Sequence, residues 1–103
     1  MTPPAGKRVL LLLHRSPAHP RTAQALRAAV GYLTADLQLT LVFCQDAAAL
    51  LQTHRHQPAQ LPLALRRPLD LLRGFSQPLY LEGELADDDL AALARGAHAV
   101  ISW

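Results

Sequence analysis

One cysteine, five glycines, one tryptophan, two tyrosines and two phenylalanines are all that this 103-residue chain carries of those residue types. Each scarcity excludes something. The lone thiol, Cys44, can form neither an internal disulfide nor a multi-thiolate metal site. The scattered aromatics offer no platform for stacked bases. The arginines, at positions 8, 15, 21, 27, 55, 66, 67, 73 and 95, form no dense block. With a net charge of only +2, that distribution predicts no direct nucleic-acid binding. The apolar run near the N-terminus, Val9 to Leu13, is far too short to span a membrane, and no small-residue cleavage site follows it. The sequence is therefore read as that of a soluble, cytoplasmic protein. It holds no Gly-rich phosphate loop, no nucleophile-elbow pattern, no zinc-binding pattern, no internal repeat and no low-complexity tract.

What the chain does have is apolar bulk, half of its residues, supplied mostly by Leu and Ala. That fits one compact domain, residues 1–103, with one core. For so small a body it also implies surface covered by a partner subunit, whether a sibling chain or a second copy.

Residues 1–6, "MTPPAG", read as a loose lead-in. "KRVLLLLH", Lys7 to His14, is a short apolar run closed by turn residues and predicts a strand buried on both faces. From Pro20 to Asp36, apolar residues at three- and four-residue spacing predict an amphipathic helix, with Pro20 in its first turn. Gly31 weakens that helix, or permits close packing against a sheet. "LQLTLVFC", Leu37 to Cys44, is the clearest strand, and Leu41, Val42 and Phe43 are expected in the core. A short helix follows in "QDAAALLQTH", with Asp46 placed to cap it. Arg55 to Leu63, with two prolines, reads as a loop. A helix is expected around Leu69 to Arg73, with Pro68 as an early position and Gly74 as the stop. "QPLYLEG" predicts a third strand, "ADDDLAALARGA" a helix whose charges suit the macrodipole, and "HAVISW" a fourth strand. The alternation predicts an α/β fold, a single small domain with a mostly parallel sheet flanked by helices in a flavodoxin-like three-layer arrangement.

Two sets of residues are candidates for chemistry. Cys44 ends the second strand just before a helix N-terminus, where amide dipoles favour a thiolate and where open parallel sheets gather ligands. The alternative is a small buried residue, since cysteine is often fully buried and Asp46 two residues on disfavours a thiolate. His14, Arg15 and Ser16, with His19 nearby, lie after the first strand at the same carboxyl edge and could hold an anion. His54 and His56 are too short a ligand set for a metal and read as part of a solvated loop, so no metal is expected. Asp87 to Asp89 are explained by their place at a helix start rather than by catalysis.

The parts "VLLLLH", "SPAHP", "AQALRAAVGYL", "LTLVF" and "QDAAALL", with the ending "LADDDLAALARGAHAVISW", resemble the DsrE/DsrF-like family, which includes the TusB, TusC and TusD sulfur-relay subunits. The resemblance covers nearly the whole chain in layout. It implies a persulfide-carrying cysteine in the later half of catalytic members. The corresponding segment here, "LALRRPLDLLRGF", has none, and the family's Asp-Gly after the second strand appears as "QDAA". The resemblance thus implies a TusC- or DsrF-like accessory subunit without the active thiol and without a cofactor, packed against sibling subunits. Two other readings stay open. Cys44 itself could carry a persulfide as a sulfurtransferase, or the domain could be a small-ligand or anion-binding module using His14, Arg15 and Ser16.

Overall fold

The computed structural model describes residues 7–103; the expected lead-in, residues 1–6, lies outside the described residues. In chain order the elements are β1 (Arg8–Leu13), α1 (Pro20–Thr34), β2 (Gln38–Phe43), α2 (Ala48–His56), α3 (Leu63–Gly74), β3 (Leu79–Leu81), α4 (Asp87–Gly96) and β4 (Ala99–Ser102). The described residues form a four-stranded, wholly parallel sheet in the order β3-β2-β1-β4. The α/β fold expected from the alternation is the fold observed.

The order of the strands decides where the helices go. The connections through α1 and through α2 and α3 step across the sheet in one direction, and α4 carries the chain back past β2 and β1. Crossovers between parallel strands are right-handed, so reversing the step reverses the face. The packing follows. Leu11, Leu13, Leu39, Leu41 and Phe43 share a cluster with Leu26 of α1, Leu50 of α2 and Leu69 of α3. Leu10, Val42 and Cys44 point the other way, toward Leu90 and Leu93 of α4. Strand residues alternate between these two clusters because successive side chains leave opposite faces. Leu41, Val42 and Phe43 are fully buried, as expected for the central strands of a two-sided sheet.

Local chemistry sets the element ends. His19 caps α1, its Nδ1 accepting from the Arg21 amide, and Pro20 takes the first helical position. Buried Thr22 donates through Oγ1 to the Ser16 carbonyl at 2.6 Å, which ties the first turn of α1 to the loop after β1.

Four local expectations are corrected. Asp46 does not cap α2. The chain leaves β2 extended at Cys44, turns left-handed at Gln45 (φ 50°) and makes one 3-10 turn over Gln45–Ala47, so α2 begins beyond the aspartate. The helix runs on through His56, taking in the first two residues of the expected loop. Next, α3 begins at Leu63 rather than near Pro68. Pro62 is its N-cap and accepts from the Leu65 and Arg66 amides. Pro68 therefore sits in the helix interior, where it lacks the amide that would bond the Ala64 carbonyl, a defect costing about 3 kcal/mol. Burial of Leu65, Leu69 and Leu72 on one face of α3 offsets it at roughly 1.5–3 kcal/mol per side chain. Finally, Gly31 faces open space, so it serves no close packing against the sheet.

Candidate functional site

The carboxyl edge of the sheet is the place to look, because strand order reverses between β1 and β4 and open α/β sheets bind ligands outside such a reversal. Three of the candidate residues converge there. The His14 amide donates to the Trp103 carbonyl at 3.0 Å, which closes β1 onto the end of β4. Arg15 is exposed, and Ser16 lends its carbonyl to both the His19 amide and the Thr22 hydroxyl. The Arg15 guanidinium Nη1 lies 3.2 Å from His19 Nε2. With Nδ1 of His19 accepting from the Arg21 amide, a neutral ring must carry its proton on Nε2. Guanidinium nitrogens only donate. Two donors therefore face each other at the mouth of this loop, an arrangement suited to an acceptor that could bridge them.

Cys44 lies one strand over, its amide donating to the Leu13 carbonyl at 2.7 Å. The strand end is next to the edge loop, but the side chain points to the α4 face and is buried beside Leu10 and Val42. Its Sγ makes a long contact, 3.8 Å, with the Val42 carbonyl. Burial, reinforced by the Glu82 carboxylate, pushes the thiol up to about 11. A thiol so placed is almost wholly protonated at neutral pH, and the thiolate is the nucleophile. The acid that acts on it is Glu82, after β3, rather than Asp46, which is exposed in the turn before α2.

The pair His54 and His56 is not a solvated loop. Both belong to the last turn of α2, and His54 is buried while His56 is exposed. Nε2 of His54 meets Asp70 Oδ1 of α3 at 2.7 Å. Among the described residues no three His, Cys, Asp or Glu side chains are grouped to hold a metal ion. Asp87, Asp88 and Asp89 occupy the first turn of α4, exposed, where the helix dipole favours them.

Two contacts escaped the sequence reading. The His54–Asp70 pair had a signal, since Ala47, Leu50, Leu51 and His54 share one helical stripe that is buried throughout. Arg55 makes a bidentate pair with Glu84, at 2.8 and 2.9 Å, and also donates to the Leu79 carbonyl. Glu84 in turn accepts from the Leu81 amide at 2.7 Å. This clamp fixes the turn after β3, and hence Glu82, against α2. It raises the Arg55 guanidinium above its ordinary value, and the same hydrogen bonds, that from Arg55 first, hold the Glu84 carboxyl below the usual carboxylate range.

A further hollow lies elsewhere, at the amino ends of the strands. It measures about 740 Å³, between α4 and the part of the sheet that α4 leaves bare, with Arg8, Gln38, Thr40, Tyr80 and Asp89 in its walls. Neither Cys44 nor His14, Arg15 and Ser16 lines it. Among the described residues no helix is long and apolar enough to cross a membrane. Compared with family models, with curated proteins and with solved structures, the chain matches none.

Proposed function

We propose that this chain is an accessory, non-catalytic subunit of a sulfur-relay assembly of the DsrEFH/TusBCD type that its layout resembles. The observation that carries the reading is the state of Cys44. The only thiol in the chain is buried and its ionisation is opposed by Glu82, so it is unsuited to accept or pass on sulfur at neutral pH. Large apolar side chains left at the surface, Phe75 foremost, support a role in which the domain packs against other chains. The test is native mass spectrometry of the purified chain mixed with DsrE- and DsrF-like sibling subunits of the same organism. A defined hetero-oligomer is expected. A chain that joins none of them would sink the relay reading.

A second reading rests on the facing donors of Arg15 and His19 at the sheet's carboxyl edge, which suit a small oxyanion. Thermal stabilisation by an oxyanion, abolished in Arg15→Gln, would support it. No shift across oxyanions, nucleotides and flavins would remove it.

A further inference from the structure

Among the described residues, three of the four large apolar side chains most exposed fall on or just beyond a single helix: Leu63, Leu71 and Phe75, at 48%, 46% and 63% exposure. They follow one stripe of α3, spaced by multiples of four and interrupted only by Arg67, while the opposite stripe, Leu65, Leu69 and Leu72, fills the core. A helix apolar on two faces has a second face to cover.

The surface around that stripe is shaped as a ridge between two hollows. Leu71 and Phe75 form the ridge. On one side lies a hollow of about 440 Å³ against the end of α1, with Leu33, Leu37 and Asp36 in its walls. On the other lies a hollow of about 460 Å³ walled by Arg67, Asp70 and Gly74. Asp70 already accepts from His54. Asp36 and Arg67 have no salt-bridge partner among the described residues. The ridge therefore separates an unpaired carboxylate from an unpaired guanidinium, each beside a hollow able to take an aromatic side chain.

We propose that this face binds a second copy of the same chain about a two-fold axis, with Phe75 of each copy entering the Asp36-bearing hollow of the other. A two-fold operation sets each patch against its own reverse, so a surface with a knob, a hole and opposite charges on either side is complementary to itself. Asp36 of one copy then meets Arg67 of the other in both halves of the interface. This rests on the accessory-subunit reading only in giving such a subunit a homodimeric unit, and it fails separately from it.

Sedimentation equilibrium of the full chain over a concentration series tests the pairing, with circular dichroism and thermal melting as checks on folding. Wild type is expected to sediment with the mass of a dimer. Phe75→Asp, at an exposed helix end, should be monomeric with its dichroism unchanged. Arg67→Glu, which sets like charges together twice, should weaken association by roughly a hundredfold or more. Asp36→Asn in that background should restore part of the loss. A monomer at every concentration overturns the proposal, as does a dimer indifferent to Phe75→Asp. A monomer that still joins a sibling subunit overturns the homodimer and leaves the accessory reading standing. A dimer that loads sulfur on Cys44 does the reverse.

Discussion

His54 of α2 holds Asp70 of α3 at 2.7 Å, with the imidazole 2% exposed and the carboxylate 58% exposed. The bond joins two helices that lie on the same face of the sheet but are connected by a proline-marked segment with no strand between them. It ties the α2 wall to α3, and so to the helix that carries the apolar ridge.

Truncating this contact should be costly on one side only. His54→Ala removes both a buried ring and a hydrogen bond to a charged group, and should lower stability by about 2–3 kcal/mol in urea denaturation. Asp70→Asn keeps an acceptor at an exposed position and should change stability by less than about 1 kcal/mol. An unchanged midpoint in His54→Ala would show that the helices are held by the leucines alone.

The Arg55–Glu84 clamp predicts an acid limit. The folded state depresses the Glu84 carboxyl, so its contribution is present above the unfolded value of about 4.3 and is lost as pH falls through the lower folded value. Thermal melts of wild type and Glu84→Gln should therefore differ at pH 7 and converge as pH falls below the unfolded value and through the depressed folded one. Both side chains are a third or more exposed, so the gap should stay under about 1 kcal/mol. A gap that persists at low pH would contradict the assignment.

Cys44 predicts an alkaline limit with the opposite sense. The folded state raises this thiol from 9.0 to about 11, so the stabilisation is complete below the unfolded value and is lost as pH rises through that window. Stability of wild type should fall between those two values, relative to Cys44→Ala, by up to about 1.4 kcal/mol per pH unit. Parallel profiles for the two proteins would mean that the thiol is not shielded.

Strand positions, α1, α4 and the parallel sheet were legible because each is written locally, in short apolar runs and in helical spacing. The strand order was not, since it depends on which edge each crossover reaches. The stretch from Arg55 to Pro68 is ambiguous in sequence for a physical reason. Pro58 and Pro62 mark a loop, but Pro62 is also a helix N-cap, and Pro68 is tolerated inside α3 by leucines that become buried only when α3 packs on α1 and the sheet. His54 reads as solvated from its polar neighbours, although its spacing from Leu50 and Leu51 puts it on the buried stripe. Glu82 is far along the chain from Cys44, and Glu84 lies 29 residues from Arg55, beyond any local pattern.

On the proposed reading the single thiol does no sulfur chemistry. Intact mass spectrometry after treatment with a persulfide donor, on wild type and Cys44→Ser, tests it most directly. No gain of sulfur is expected in either protein at neutral pH, and alkylation of wild type should become fast only once the chain is unfolded. A stable gain of one sulfur atom in wild type alone would contradict it and make Cys44 the carrier.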